Sequence, residues 1–228
     1  MEGGSRSSFG LIIHLKSIIM IFTEGDQTMT LEQEAYLAGF LHASRRPGSP
    51  TIHHRDKEVM EEAAKFLYLA CDRRKIPHSR LHHPERPLHG VTEEAMITLP
   101  PEIIKEIDLP LSGIFDRFRS YQSHLERGIL EGCGTLCYKK STRGMGISFT
   151  SFDPKWLEYL REEVSRHHPS GPIQKTERGS RWFGIEENAA KSYADWLYGD
   201  PNAPHSKARR RKLQQILGAL KSEPPRLS

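Results

Sequence analysis

Leu31, Ala35, Ala38 and Leu41/His42 recur at helical spacing, which predicts a helix of about three turns ending near Ser44. Pro47-Gly48 stops it. A short strand is expected through Pro50–His53, then a helix from Asp56 as N-cap to about Arg73. Strand-like stretches follow near Arg80–His83 and Ala95–Leu99. A short helix over Pro101–Ile107 comes next, with Pro101 where a missing N–H costs nothing.

From Phe115 the order begins again. Phe118, Tyr121, Leu125, Gly128 and Ile129 predict a helix from about Phe115 to Gly132. Thr135–Lys140 and Ile147–Ser151 read as a hairpin around Thr142-Arg143-Gly144. Asp153 then caps a helix through Arg166, with Pro154 at its first position. Strands near Ile173–Thr176 and Ser180–Ile185, a helix at Asn188–Tyr198 and a basic helix at His205–Leu220 complete the pattern. Helix–strands–helix–strands–helix thus occurs twice, joined near Asp108–Gly113. Two similar units packed about a pseudo-twofold axis are expected. The fold class is α/β of the α+β kind. Residues 29–110 form the first repeat and 111–222 the second, flanked by a tail at 223–228 and a poorly ordered extension or over-extended start at 1–28. In that extension the apolar run Phe9–Phe22 is interrupted by His14 and Lys16 and is too short to span a bilayer. It has no small-x-small cleavage site after it, so no membrane partner or signal peptide is expected.

Charge sharpens the division. The net charge of +4 is uneven: residues 1–110 carry 13 Lys/Arg against 16 Asp/Glu, and residues 111–228 carry 20 against 13. A basic half beside an acidic one suits a polyanion binder. Three cysteines, Cys71, Cys133 and Cys137, give no disulfide framework and point to a reducing compartment, cytoplasmic or the DNA-containing interior of an organelle. Cys133 and Cys137 lie downstream of His53, His54, His78, His82, His83 and His89, but no second pair has zinc-finger spacing. These groups read as packed thiols and solvated imidazoles, and no metal site is expected.

Two stretches carry a family resemblance. Leu37-Ala-Gly-Phe-Leu-His-Ala-Ser-Arg45 and Glu126-Arg-Gly-Ile-Leu-Glu-Gly-Cys-Gly134 each open a repeat. They resemble the paired signatures of LAGLIDADG homing endonucleases. Gly134-Thr-Leu-Cys-Tyr-Lys-Lys140, Gly146-Ile-Ser-Phe-Thr-Ser151 and Asp195-Trp-Leu-Tyr-Gly-Asp200 extend the similarity over about residues 31–220. The resemblance implies two pseudo-symmetric αββαββα repeats in one monomeric chain, with sheets forming a saddle in the major groove of double-stranded DNA. Gly39 and Gly128 let the signature helices approach, and Ala43 and Gly132 relieve crowding one turn on. In the family a carboxylate near each helix end holds divalent metal for phosphodiester hydrolysis.

Here the acid positions hold Ser44 and Cys133. Neither offers a hard anionic oxygen at neutral pH, and a thiolate suits Mg²⁺ poorly. Glu131, two residues before Cys133, is rotated by roughly 200° on helical geometry and does not replace the ligand. The expected function is therefore cleavage-deficient DNA binding, without cofactor. An active endonuclease would need Mg²⁺ and Glu131, Asp116 or Asp153 in the acid's place, and an intron-RNA splicing maturase is the further alternative. Strand parity turns Leu136, Tyr138, Ile147 and Phe149 toward the helices, and Thr135, Cys137, Lys139, Ser148 and Thr150 toward DNA. Gln174, Thr176, Arg178 and Arg181 are candidate contacts in the later strands. Lys207, Arg209, Arg210 and Arg211 form a candidate phosphate clamp. The short link from Ser44 to Pro50 predicts a narrower saddle half and weaker grip in the first repeat.

Overall fold

The computed structural model describes residues 29–45, 48–81 and 95–222. The expected extension at 1–28, the tail at 223–228, and His82, His83 and His89 lie outside the described residues.

Helix α1 (Leu31–Ser44) begins with a reciprocal capping box. The Thr30 hydroxyl accepts from the Gln33 N–H, and the Gln33 side chain accepts from the Thr30 N–H. At its far end Arg45 is extended and forms a β-bridge to Ile52. Strand β1 (Thr51–His54) leads to α2 (Lys57–Arg73), whose first N–H groups donate to the Asp56 carboxylate. Strand β2 (Ala95–Thr98) pairs antiparallel with β1, placing Ile52 opposite Ile97 with both buried. Helix α3 (Pro101–Ile107) closes a core that includes Leu37, Phe40, Leu41, Val59, Leu67 and Ile103. Of the strand expected at Arg80–His83, the described residues Arg80 and Leu81 are not strand, since His78–Arg80 is a 3₁₀ turn.

The long helix expected from Phe115 to Gly132 is instead broken. Helix α4 (Leu111–Arg117), a 3₁₀ turn (Arg119–Tyr121) and α5 (Gln122–Cys133) follow one another. Phe118 (φ −112°, ψ 26°) and Tyr121 (φ −123°, ψ 29°) leave helical geometry at the two joints. The break buries Phe118 beside Phe115 and lets Arg119 donate to the fully buried Glu163 at 2.8 Å. A 3₁₀ turn nearly preserves the side-chain spacing of an α-helix, so periodicity alone did not reveal it.

Beyond α5, β3 (Gly134–Lys139) and β4 (Gly144–Ser151) form the expected hairpin. Helix α6 (Pro154–Ser165) is capped by Asp153 with Pro154 at its start. Strands β5 (Gln174–Lys175) and β6 (Arg181–Glu186) complete an antiparallel sheet in the order β3-β4-β6-β5. Helices α7 (Glu187–Tyr198) and α8 (Lys207–Ser222) follow. Helices α5, α6 and α7 cover one face of the sheet, with Leu136, Ile147, Phe149, Phe183, Leu157 and Tyr193 in the shared core.

The two units meet along α1 and α5, and glycine sets their separation. A Cβ on Gly39 would lie 2.1 Å from the Leu125 carbonyl oxygen and 3.1 Å from the Ile129 nitrogen. A Cβ on Gly128 would lie 2.0 Å from the Tyr36 carbonyl oxygen and 2.8 Å from the Phe40 nitrogen. The same 89-residue offset relates Gly39 to Gly128, Tyr36 to Leu125 and Phe40 to Ile129. The contacts are thus exchanged symmetrically, as a pseudo-twofold axis requires. The mixed helix-and-antiparallel-sheet class expected from the sequence is what the structure shows.

Candidate nucleic-acid interface and helix-end seam

Helices α1 and α5 end side by side. A Cβ on Gly132 would meet the Ser44 hydroxyl at 2.8 Å, the Ala43 Cβ at 2.9 Å and the Phe40 carbonyl at 2.9 Å. The small residues expected to relieve crowding therefore do so, and Ser44 and Cys133 lie at the same end of the seam. The Ser44 hydroxyl is buried and has no hydrogen-bond partner. Burial pushes the Cys133 thiol up to about 12, so it stays protonated at neutral pH.

Glu131 points elsewhere, as helical geometry predicts. It is fully buried and accepts from the Tyr36 hydroxyl at 2.7 Å, the Tyr198 hydroxyl at 3.0 Å and the Ser206 N–H at 2.8 Å. Desolvation outweighs these bonds and raises its carboxyl to about 7. One turn earlier Glu126 is equally enclosed, accepting from Tyr193 and Gln122, and burial also lifts it to about 7. Its burial was not anticipated from the sequence, because carboxylates are rarely found fully inside. Asp153 is spent on the α6 cap, and Asp116 pairs with Arg119. Neither substitute acid is thus aimed at the seam.

His42 occupies the place in α1 that Glu131 holds in α5. Its Nδ1 accepts from the Trp156 indole N–H at 2.8 Å, so Nε2 carries the proton and donates to the Leu109 carbonyl at 3.1 Å. Burial lowers its pKa, favouring this neutral form. His42 and Trp156 also line a groove of about 560 Å³ with Arg45, Asp108 and Lys155.

The uncovered face of the four-stranded sheet follows from strand register. Leu136, Ile147, Phe149, Phe183 and Ile185 are buried against helices. Thr135 lies opposite Ser148, Cys137 opposite Gly146, Thr150 opposite Trp182, and Gln174 opposite Trp182. Thr135, Cys137, Lys139, Ser148, Thr150 and Gln174 therefore share the outer face, joined by Trp182 and Glu186. Thr176 bonds Ser180 at 2.8 Å within the turn carrying exposed Arg178.

Arg181 is the correction here. Its register with Ser151 and Lys175 sets it on the same side as Phe183 and Ile185, where it lies 3.7 Å from Glu158 of α6. The sequence Arg-Trp-Phe-Gly-Ile hides this parity because both Trp182 and Phe183 are large and apolar. Pairing with β4 was the signal that would have exchanged Arg181 for Trp182. The outer face also carries little net charge, since Lys139 is paired with Glu186.

The α8 arginines are more engaged than an open clamp would be. Arg211 pairs with Glu58, and Arg210 donates to the Pro201 carbonyl at 3.1 Å. Arg209 turns inward and donates to the Gly134 carbonyl at 3.0 Å, while Lys207 is exposed.

Residues 105–222 match the sequence model of a family described as "Putative archaeal homing endonuclease", one of the LAGLIDADG group. That match covers more than half of the chain. The chain belongs to the LAGLIDADG homing endonuclease family. No curated protein matches its sequence. Its fold is similar to I-DmoI crystallised with DNA and Mn, at 12% identity and a TM-score of 0.50, covering 75% of this chain and 98% of that one. For I-DmoI with DNA and Ca the values are 10% and 0.52, over 83% and 100% of the two chains. The N-terminal LAGLIDADG domain of WhiA gives 14% and 0.50, over 86% and 96%.

At the seam Ser44 supplies a hydroxyl and Cys133 a protonated thiol, and neither group fits a hard divalent cation. Among the described residues no group of three or more His, Cys, Asp or Glu side chains could hold a metal ion.

Proposed function

We propose that this LAGLIDADG chain binds double-stranded DNA as a monomer through the open faces of its sheets, without cleaving it efficiently. The observation that carries the reading is the seam itself. The helix pair is intact to the last turn, yet it ends on Ser44 and Cys133, while the nearby carboxylates are committed elsewhere. I-DmoI was crystallised in complex with DNA, and the shared fold supports the same class of partner for this chain.

The second repeat supplies the larger proposed surface. Thr135, Ser148, Thr150, Gln174 and Trp182 offer small polar and apolar contacts suited to base edges, and Arg178 and Lys207 supply exposed charge for phosphates. In the first repeat Thr51, His53, Met96 and Thr98 share the corresponding face, with no lysine or arginine among them. Grip is proposed to be weaker on that half-site.

A gel-shift series on random duplexes with and without Mg²⁺ tests the reading. Metal-independent, salt-sensitive binding is expected, and metal-dependent nicking at low protein concentration would defeat the cleavage-deficient part. Structured RNA as competitor separates DNA binding from a maturase role: displacement of duplex by RNA at lower concentration would favour the latter.

A further inference from the structure

The residues that replaced the acids have a cationic neighbour. On one side of Cys133 the Ser44 hydroxyl fills the space a Cβ on Gly132 would need, and on the other the Gly134 carbonyl accepts from Arg209. Arg209 comes from α8, which also packs against α2 and pairs Arg211 with Glu58, so it is anchored to both repeats. Two donors here are shielded and unused: the Ser44 hydroxyl, on a residue 9% exposed, and the Arg209 Nε–H. A buried donor without an acceptor costs roughly 1–3 kcal/mol. A helix end with two such donors, and no carboxylate free to accept from them, is short of an anionic oxygen.

We propose that the seam is a metal-independent phosphate site, in which the Arg209 guanidinium and the Ser44 hydroxyl together bind a phosphodiester oxygen. Where acids would gather cations to meet the backbone, this chain presents a fixed cation directly. Arginine suits the task because its fork stays charged and can hold two phosphate oxygens at once. The DNA context rests on the proposed function, but the phosphate chemistry is separable from it.

The test uses the full chain and inorganic phosphate at constant ionic strength, read by thermal denaturation. The natural chain should gain about 3 °C at saturating phosphate. Arg209→Gln and Ser44→Asp should abolish the shift, the second by supplying a carboxylate that repels the anion. Arg209→Lys should retain part of it, and Arg80→Gln, at a distant surface pair, all of it. An undiminished shift in Arg209→Gln overturns the proposal, as does the absence of any shift in the natural chain. If Arg209→Gln fails to fold, the Ser44→Asp and Arg209→Lys results decide.

On random duplexes Arg209→Gln should bind about tenfold more weakly, with the salt slope reduced by about 0.9, the value of one phosphate contact. Unchanged duplex binding would overturn the seam site while leaving DNA binding standing. If the natural chain binds no duplex, the proposed function fails and the phosphate shift alone decides the site.

Discussion

The two repeats agree at their shared seam and differ almost everywhere beyond it. At the seam, Gly39 and Gly128 exchange backbone contacts under one 89-residue offset, and neither position has room for a methyl group. Away from it, the second repeat carries a four-stranded sheet, while the first shows two strands among the described residues. The contrast follows from packing. Two helices whose backbones touch cannot change one residue without moving both domains, whereas a strand edge facing solvent can shorten at modest cost. The corresponding pair His42 and Glu131 lies between these extremes. Glu131 is buried and His42 half-buried, and each is hydrogen-bonded across the molecule, yet with opposite acid–base character.

The comparison breaks most sharply at the glycines. Gly128→Ala should cost about 3 kcal/mol or more, because its Cβ would meet backbone atoms rather than a yielding side chain. Gly39→Ala should cost nearly as much. Urea denaturation checks both, and a loss under about 1 kcal/mol in either would contradict the symmetric seam. On the sheet, Trp182→Ala should weaken duplex binding about tenfold, the scale of one good base contact. Arg181→Ala should leave binding within about twofold, since its long contact to Glu158 is a surface pair. Equal effects on binding would mean that the assignment of faces is wrong.

Proton linkage sharpens the comparison of His42 with Glu131. A Glu131 carboxyl lifted to about 7 means the folded state binds more protons than the unfolded chain above pH 4.5. Its contribution therefore lowers stability as pH rises from about 4.5 to 7, and Glu131→Gln should flatten that fall. His42 is depressed below 6.5, so its contribution destabilises the fold as pH drops below that value. His42→Gln should flatten the acid side instead. Denaturation midpoints across about pH 4.5–8 distinguish them, and parallel curves for the two variants would refute the opposite signs. The smallest effect is expected in α8, where a Cβ on Gly218 would have nothing within 4 Å. Gly218→Ala should stabilise the chain by up to about 1 kcal/mol through helix propensity alone.

Much of the architecture was legible because it rests on local rules. Asp56 and Asp153 cap α2 and α6 as read, since a carboxylate before a helix satisfies its first N–H groups wherever the chain runs. The β3–β4 hairpin and its alternation emerged from turn residues and period-two burial. Of the site, one feature was legible: Ser44 and Cys133 end the two packed helices, as the repeat spacing predicts. The break at Phe118–Tyr121, the inward turn of Arg209 and the exchange of Arg181 for Trp182 were not. Each depends on a partner distant in sequence: Glu163 of α6, Gly134 of β3, and β4 beside β6.

By itself the sequence determined which residues could form helices and strands, that the pattern ran twice, and which side chains stood at the two helix ends. Tertiary structure alone decided which polar groups those ends would face. Burial and hydrogen bonding are settled by neighbours that only the folded chain brings together, so a carboxylate such as Glu131 can become an interior acceptor and a surface-reading arginine such as Arg209 a seam cation.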